Sequence, residues 1–154
     1  MENKDIKFMK EALYLANEAA RAGEIPVGAV VVNSEGEIIS SAYNLRETDK
    51  KATAHAEILV IDQACKKMGG WRLNGCTLYV TLEPCPMCAG ALINSRIDRV
   101  VFGAYDMQAG CCGSVVNFNA YPFNHSFEIT GGVLEKECRE VLTEFFKKRR
   151  KDTV

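Results

Sequence analysis

Two short segments of the sequence carry the side chains best suited to chemistry. Residues 53–57 contain His55 and Glu57, and residues 83–88 contain Cys85 and Cys88. Zinc binds imidazole nitrogen and thiolate at tetrahedral angles, and a catalytic zinc keeps three protein ligands and one open position. His55, Cys85 and Cys88 supply three such ligands. Because a carboxylate near the metal can move protons without binding it, the pattern predicts Glu57 as the catalytic proton carrier.

The Cys-x-x-Cys pair taken alone has two simpler interpretations. It is also typical of a redox-active pair and of half a structural zinc site. A structural site needs a fourth strong ligand, and the sequence has neither a second Cys-x-x-Cys nor a His-x-x-x-His pattern. The two segments together therefore favour a catalytic site. His125 stands apart from them and is more typical of a hydrogen-bonding surface residue than of a metal ligand.

Length, charge and cysteine usage narrow the class of protein. The 154 residues are predicted to form a single domain, 1–154, with a core of its own. The net charge is −1, so any binding to nucleic acid must use local patches or shape. The charged N-terminal residues do not resemble a secretory signal, and no apolar run is long enough to span a bilayer. Seven cysteines without a disulfide framework indicate a reducing compartment, so we expect a cytoplasmic protein with no membrane partner.

Hydrophobic periodicity predicts helices alternating with strands around these segments. We expect helices over about 3–23, from Thr53 as N-cap to about 68, over 85–96 and over 133–148, and strands over 27–32, 37–43, 77–82, 99–104 and 125–130. The first two strands should form an antiparallel hairpin, whereas residues 77–104 have the strand–helix–strand rhythm of a parallel sheet. Polar loops are predicted over 44–51 and 105–124, and loops as long as the second are usually functional.

Both halves of the predicted zinc site lie at the start of a helix. His55 and Glu57 fall in or next to the first turn of one helix, and Cys85 and Cys88 share one face at the start of the next. The positive end of a helix dipole stabilises thiolate over thiol. The arrangement therefore favours the deprotonated, metal-binding form of the two cysteines.

The order His-x-Glu followed by Pro-Cys-x-x-Cys is a known signature of zinc nucleobase deaminases. Five segments, at 23–30, 53–57, 71–73, 75–90 and 100–104, together with the C-terminal Glu-Phe-Phe-Lys-Lys-Arg-Arg run, resemble the bacterial tRNA-specific adenosine deaminases over nearly the whole chain. The resemblance implies an α/β fold of the cytidine-deaminase type, with three α/β/α layers and a mixed five-stranded sheet flanked by helices. It also implies a homodimer with one zinc per subunit. The implied activity is hydrolysis of the wobble adenosine to inosine in the anticodon stem-loop of tRNA, arginine tRNA with an ACG anticodon being the family's acceptor.

The resemblance also assigns substrate-binding positions near the metal. Asn44 matches the position that hydrogen-bonds the flipped base, and the backbone near Ala56 and Pro84 helps to line the pocket. Asp106 matches a position that looks onto a ribose, where a carboxylate would accept from a 2′-hydroxyl. The simpler interpretation of Asn44 is a turn residue after a strand, and that of Asp106 is an ordinary loop acid.

The C-terminal segment carries the remaining implied RNA contacts. Phe145, Phe146, Arg149 and Arg150 match family positions that approach the anticodon loop, although the two phenylalanines are equally typical of packed helix residues. Gln108 departs from the family, whose members often carry lysine there, which puts one phosphate contact in doubt.

Zinc makes water nucleophilic near neutral pH, and Glu57 would take its proton, pass it to N1 of adenine and later protonate the departing amine. Three other classes of function compete with this interpretation. A small-molecule deaminase acting on guanine or cytosine would share the zinc motifs but would not need residues 145–151. A non-catalytic partner subunit would be expected to lose Glu57. A zinc-binding interaction protein would need a fourth ligand.

Overall fold

The computed structural model describes residues 3–152, so residues 1, 2, 153 and 154 of the predicted domain lie outside the described residues. Its centre is a mixed sheet of five strands in the order β2-β1-β3-β4-β5. The strands are β1 Gly28–Val32, β2 Ile38–Tyr43, β3 Thr77–Leu82, β4 Arg99–Ala104 and β5 Glu128–Thr130. β1 runs antiparallel to β2 and β3, while β3, β4 and β5 are parallel. The predicted hairpin and the predicted mixed five-stranded sheet are confirmed.

Helices cover both faces of the sheet and complete three layers. They are α1 Lys4–Arg21, α2 Arg46–Asp49, α3 Ala56–Met68, α4 Pro86–Asn94 and α5 Glu135–Asp152, with a 3₁₀ turn at Phe118–Ala120. α1 and α5 pack on one face, and α3 and α4 pack on the other. The predicted α/β/α architecture is therefore confirmed. In the part of the chain that the structure describes, no helix is both long and apolar enough to cross a membrane.

Alternating residues of each central strand enter two separate cores. In β1, Ala29 and Val31 face α3 and α4, whereas Val30 and Val32 face α1 and α5. Because both faces are buried, β1 reads as a continuous apolar run instead of an alternating one. Each fully buried valine contributes roughly 1.5–3 kcal/mol of stability. α1 also approaches β1 very closely, since a Cβ on Gly28 would collide with the backbone of Ala12.

An ion pair and a hydrogen bond join the start of α1 to the sheet. Arg99 donates two hydrogen bonds to the Asp5 carboxylate, at 2.8 and 2.7 Å, and the Tyr79 hydroxyl donates a third at 2.8 Å. The hydrogen bonds from Arg99 are the largest influence on Asp5 and, with that from Tyr79, they hold its pKa below the usual value although burial opposes them. This network fixes α1 against β3 and β4, two strands that are distant from α1 in the sequence.

The start of α3 differs from the sequence prediction. Thr53 is not the N-cap; His55 occupies that position, and the helix begins at Ala56. The Thr53 carbonyl instead accepts a hydrogen bond from the His55 N–H at 2.8 Å. The His55 side chain makes no capping bond, because its ring is turned toward Cys85 and Cys88. The first turn of α3 is therefore organised around the metal-ligand cluster.

Three smaller differences concern packing and loops. The buried face of α3 consists of Ala56, Glu57, Val60, Ile61 and Ala64. The apolar spacing of Ile58, Ile61, Cys65 and Met68 in the sequence indicates a different face, which shares only Ile61 with the buried one. The predicted loop over 44–51 contains the short helix α2. α5 begins at Glu135 instead of 133 because Gly132 and Leu134 have positive φ angles of 84° and 53°, which a right-handed helix does not allow.

Candidate active site

The starts of α3 and α4 bring three potential metal ligands together. His55 is the N-cap of α3, Cys85 is the N-cap of α4, and Cys88 lies in the first turn of α4. The Nδ1 atom of His55 lies 3.6 Å from the Sγ atom of Cys85 and 3.6 Å from the Sγ atom of Cys88. All three ligand atoms lie within 4.8 Å of one another. α4 begins at Pro86, a residue favoured at the first helical position, so Cys85 and Cys88 lie at the start of this helix and face His55.

The spacing of these atoms fits a zinc ion. Usual Zn–S and Zn–N bonds at tetrahedral angles separate a nitrogen ligand from a sulfur ligand by about 3.6 Å. His55 Nδ1 lies at that separation from both sulfurs. One imidazole and two thiols form a set of three, which leaves a fourth position for water or substrate. The three residues therefore fit a catalytic zinc better than a closed structural one.

Local electrostatics favour a thiolate at the cluster. A hydrogen bond from the Cys88 thiol, helped by His55, lowers the pKa of Cys85 to about 4 although burial opposes the shift. The pKa of Cys88 is raised, because Cys88 donates that hydrogen bond and is buried. The hydrogen bond to Cys85 raises the pKa of His55. One thiolate beside an imidazole is the charge state from which metal binding displaces the remaining protons.

Glu57 is a buried carboxyl group in the first turn of α3. Its side chain is 4% exposed, and it is oriented toward the same cavity as His55. Burial raises the pKa of Glu57 to about 7, against the opposing influence of the helix backbone and His55. A group with a pKa near neutrality can both accept and donate a proton. The position of Glu57 thus suits a proton carrier beside the ligand cluster.

The ligand cluster opens into a cavity of about 660 Å³. One side, which we term the metal wall, is formed by His55, Ala56, Glu57 and Cys85. A second part of the lining, which we term the outer wall, is formed by the loop residues Tyr105, Asp106, Met107, Gln108 and Ala109 and by the α5 residues Arg139, Leu142, Thr143 and Phe146. A cavity of this size can hold a nucleobase with its sugar.

Asn44 and Ala56 both line the cavity, and their role in binding substrate stays a prediction. Asn44 is 6% exposed, and its side chain is held in place from two sides. Its Nδ2 atom donates to the Ile25 carbonyl at 3.2 Å, and its Oδ1 atom accepts from the Arg46 N–H at 3.1 Å. Asn44 therefore serves as a turn residue and as a cavity residue at once. Pro84 is not among the lining residues; its carbonyl accepts from the Cys111 N–H at 2.9 Å.

Asp106 lies in the outer wall and organises its loop. Its Oδ1 atom accepts hydrogen bonds from the N–H groups of Gln108 and Ala109, at 3.0 and 3.1 Å. One carboxylate oxygen is thus committed to the turn, as in an ordinary loop acid, while the side chain still borders the cavity. Gln108, which replaces the lysine common in the family, also lines the cavity.

The four C-terminal residues singled out from the sequence separate on α5. Phe146 lines the cavity, but Phe145 faces a different groove toward α1. Arg149 lies over the Phe145 ring, 5.5 Å from its centroid. Neither Arg149 nor Arg150 is among the residues that line the cavity. Consecutive residues of a helix point about 100° apart, which accounts for the different surroundings of the two phenylalanines.

Sequence reasoning missed Glu83, which holds the outer wall in place. Its carboxylate is 1% exposed and accepts hydrogen bonds from the N–H groups of Asp106, Cys112 and Ser114, at 3.0, 3.0 and 3.1 Å. The Ser114 hydroxyl also donates to it. The loop passes so close that a Cβ on Gly110 would collide with the Glu83 carboxyl. The available signal was an acidic residue at the end of a buried strand, directly before Pro84.

Two arginines in the cavity were also missed. Arg139 of α5 donates to the Tyr105 carbonyl at 2.7 Å and so ties the helix to the loop. Arg46 lies in α2, whose N–H groups at Glu47 and Thr48 donate to the buried carboxylate of Glu24, at 3.0 and 2.6 Å. Neither arginine stands out in the sequence, because their relevance depends on where α2 and α5 pack. His125 lies 2.7 Å from the Ile97 carbonyl through Nε2, consistent with a hydrogen-bonding role.

Comparisons with known proteins agree with this geometry. Residues 2–104 match the family model of the cytidine and deoxycytidylate deaminase zinc-binding region. The tRNA-specific adenosine deaminase of Bacillus subtilis (strain 168) is 55% identical over 148 residues, covering 96% of this chain and 91% of that protein. The tRNA-specific adenosine deaminase of Haemophilus influenzae is 49% identical over 149 residues, covering 96% of this chain and 86% of that protein.

Among solved structures, one from a study of A-to-I editing by tRNA:A34 deaminases at the wobble position superposes with a TM-score of 0.85 and 42% identity. It covers 88% of this chain and 99% of that chain. The zinc-binding region that the family model describes contains His55, Cys85 and Cys88, which the structure brings together. The chain therefore belongs to the cytidine and deoxycytidylate deaminase family of zinc-binding proteins, within its group of tRNA-specific adenosine deaminases.

Proposed function

We propose that this protein converts the wobble adenosine of a tRNA anticodon to inosine, with arginine tRNA carrying an ACG anticodon as its substrate. The observation that supports this most directly is the composition of the cavity. The ligand cluster and Glu57 form one wall, and α5 forms much of the other with Arg139, Thr143 and Phe146. The relatives named as tRNA-specific adenosine deaminases match this chain over both walls.

In this proposal, His55, Cys85 and Cys88 hold one zinc per subunit. Zinc at this position supplies a Lewis acid that makes water nucleophilic near neutral pH. Glu57 accepts the proton of that water as the oxygen adds to C6 of adenine, and it transfers this proton to N1 of the ring. Glu57 then carries the second proton of the water to the amino group, which leaves as ammonia while the C6–N bond breaks. Water and adenosine are thus consumed, and inosine and ammonia are produced.

Asn44 is proposed to orient the base. Its Oδ1 is occupied by the Arg46 N–H, and one hydrogen of its Nδ2 is directed to the Ile25 carbonyl. The second Nδ2 hydrogen remains for an acceptor on the purine. A base can reach this depth only when it is flipped out of its stack, which costs least in a single-stranded anticodon loop. Ala56 contributes to the floor beneath the base, and Pro84 supports the floor from behind through its bond to Cys111.

Recognition of RNA is proposed to use the outer wall and the end of α5. Asp106 borders the cavity, where its free oxygen would accept a hydrogen bond from a ribose 2′-hydroxyl. Phe146 is placed to contact the flipped nucleotide or its neighbour. Phe145, Arg149 and Arg150 do not line the cavity and would contact the anticodon stem-loop outside it. Gln108 leaves this wall without the cation that lysine would supply.

We further propose that the enzyme works as a homodimer in the cytoplasm, where its tRNA substrate is found. The family resemblance supports the dimer. The seven free cysteines, two of them ligand candidates, are in keeping with a reducing compartment.

A second candidate function is deamination of a free nucleobase. Its support is a solved guanine deaminase from Nitrosomonas europaea, which superposes with a TM-score of 0.76 at 25% identity and covers 91% of this chain and 83% of that chain. The zinc motifs alone do not separate the two functions. The basic end of α5, with Lys147, Lys148 and Lys151, favours the tRNA substrate.

The test is an inosine assay on transcribed arginine tRNA with an ACG anticodon, run beside free adenosine, guanine and cytidine. We expect turnover of the tRNA and little or none of the free bases and nucleosides. A control transcript with guanosine in place of the wobble adenosine should give no inosine. Turnover of guanine or cytidine without tRNA turnover would contradict the proposed function and favour the second candidate.

A further inference from the structure

A second concave site lies between α1 and α5, outside the catalytic cavity. This α1–α5 groove has a volume of about 490 Å³. Its charged lining consists of Arg21 from α1, and Lys147, Lys148, Lys151 and Glu144 from α5. Four cations and one anion thus share a single groove, although the whole chain has a net charge of −1. The groove is therefore a local concentration of positive charge.

The groove and the catalytic cavity are separate, but each is lined by one of two aromatic rings that contact each other. Phe146 lines the cavity and Phe145 lines the groove. The two rings meet edge-on, with centroids 5.5 Å apart. α5 thus presents one face to the catalytic site and another face to the groove, and the two phenylalanines lie where these faces meet. A ligand long enough to extend from Phe146 past Phe145 would reach the groove.

The lining indicates which part of such a ligand the groove can hold. Lysine ammonium groups act as point charges and suit phosphate oxygens, whose contacts position a nucleic acid without reading its sequence. Phe145 already has the Phe146 ring at one edge and the Arg149 guanidinium over its ring. Its ring is therefore partly covered, which disfavours stacking of a base in the groove and favours backbone binding.

We propose that the α1–α5 groove binds backbone phosphates of the tRNA stem next to the anticodon loop. The inference rests on the proposed function, because it takes the RNA in the catalytic cavity as the ligand that extends into the groove. Lys147 and Lys148 hold the strand from the α5 side, and Arg21 holds it from the α1 side. Arg21 also pairs with Glu18, so phosphate binding exchanges a surface ion pair for a stronger anion.

Paired substitutions test the groove. Binding of full-length arginine tRNA with a fluorescent label is measured by anisotropy over a range of salt concentrations. Lys147→Gln with Lys148→Gln should raise the Kd roughly fivefold to tenfold and reduce the slope of log K against log salt by about one per lost contact. The matched control is Lys66→Gln with Lys67→Gln, an adjacent exposed pair in the last turn of α3, which should leave both quantities unchanged.

Arg21→Gln tests whether the tRNA binds in a groove formed by both helices or only to the basic end of α5. Because Arg21 lies on α1, a roughly threefold rise in Kd from this change alone would support a site shared by both helices. A single-stranded oligonucleotide of the anticodon loop, which lacks the stem, should bind all variants equally. The proposal is overturned if Arg21→Gln has no effect, if the α3 pair weakens binding as much, or if the loop oligonucleotide is weakened as much as the tRNA.

Inosine formation on the same tRNA distinguishes failure of the proposed groove from failure of the proposed deaminase function. Wild-type protein that forms inosine while the groove variants bind normally would overturn the groove and leave the proposed function intact. Wild-type protein that forms no inosine, while the groove variants still lose tRNA binding, would overturn the proposed function and support the groove.

Discussion

The two walls of the catalytic cavity are built in different ways. The metal wall consists of helix starts, where His55, Glu57 and Cys85 are fixed by backbone geometry and burial. The outer wall is assembled from a loop and a helix remote in sequence, and it includes Met107 at 73% exposure and Phe146 at 39%. One buried carboxylate, Glu83, accepts hydrogen bonds from three backbone N–H groups of its loop. From this contrast we expect the chemistry to depend on the compact motifs of the metal wall, and the choice of substrate to depend on the outer wall.

If the metal wall carries the chemistry, Glu57→Gln should have the largest effect of any single change. The amide keeps the shape of the side chain but cannot accept the proton of water. We expect turnover to fall by roughly 10²–10⁴-fold, the usual contribution of a positioned proton carrier. Inosine formation measures the rate, and metal analysis of the purified protein should show unchanged zinc. If the Glu57→Gln variant turned over at the wild-type rate, Glu57 would not be the proton carrier. The proposed division of roles between the two walls would then be wrong.

Loss of the Glu83 clamp should disturb the outer wall and spare the metal wall. In Glu83→Gln, the carboxamide presents an N–H₂ group to backbone donors, and we expect kcat/KM for tRNA to fall roughly tenfold. Unfolding should become easier by roughly 1–3 kcal/mol, because hydrogen bonds to a buried charge are lost. Zinc content should not change. Steady-state kinetics and urea unfolding provide the measurements.

Asp5→Asn is the matched control for that experiment. Asp5 is a carboxylate that also accepts several hydrogen bonds, but it lies between α1 and the sheet, away from the cavity. Loss of the Asp5 carboxylate should lower the free energy of unfolding. It should not lower kcat/KM for tRNA at a temperature where both the variant and the wild type are folded. Equal kinetic losses in the two variants would show that Glu83 acts only through global stability.

Substitutions of the two phenylalanines test whether the cavity and the α1–α5 groove bind different parts of the RNA. Phe146→Leu should raise KM for a short anticodon-loop oligonucleotide roughly threefold to tenfold, since contact of a base with an aromatic ring is worth a few kilocalories at most. Phe145→Leu should have a smaller effect on that oligonucleotide than on full-length tRNA, because Phe145 faces the α1–α5 groove. Steady-state kinetics on both substrates makes the comparison. Identical effects of the two changes would contradict their placement on different faces of α5.

The smallest effect concerns the pH dependence of stability at the far side of the sheet. The pKa of Asp5 is lowered, chiefly by hydrogen bonds from Arg99. Its ionised form therefore stabilises the fold above the usual pKa of aspartate, and this stabilisation is lost as the pH falls through the lowered value. The neighbouring charged or titratable groups are Arg99, the neutral Tyr79 hydroxyl and, beside Arg99, Glu128 at 3.8 Å.

We expect wild type to exceed Asp5→Asn in unfolding free energy by about 1–3 kcal/mol near neutral pH. The difference should shrink below about pH 4, where aspartate ordinarily titrates. Urea unfolding of both proteins across this pH range measures it. A difference that stays constant at low pH would show that the ion pair does not contribute in this way.

The sequence predicted the parts of the molecule that local patterns determine. β3 and β4 have the predicted bounds, because their β-branched runs are flanked by clear turns. The ligand set follows from residue types and spacing, and the structure brings those residues together. The start of α3 was wrong because Thr53 looks like an ordinary N-cap, whereas the orientation of His55 toward the cysteines decides the helix boundary.

Features that depend on how distant segments pack were not predictable in the same way. Nothing in the local sequence of α5 determines that Phe146 enters the cavity and Phe145 does not, since that depends on the rotation of the helix against the sheet. The same holds for Glu83, whose partners lie 23 to 31 residues further along the chain. The outer wall is therefore the region where the sequence was least informative.

We propose that the metal wall deaminates adenine while the outer wall restricts the reaction to one nucleotide. The most direct measurement is sequencing of a complete bacterial tRNA pool after incubation with the enzyme, with inosine read as guanosine. We expect conversion to inosine at the wobble adenosine of arginine tRNA with an ACG anticodon, and only background levels of inosine at other adenosines. Conversion of many adenosines across the pool, or none in the arginine tRNA, would contradict it.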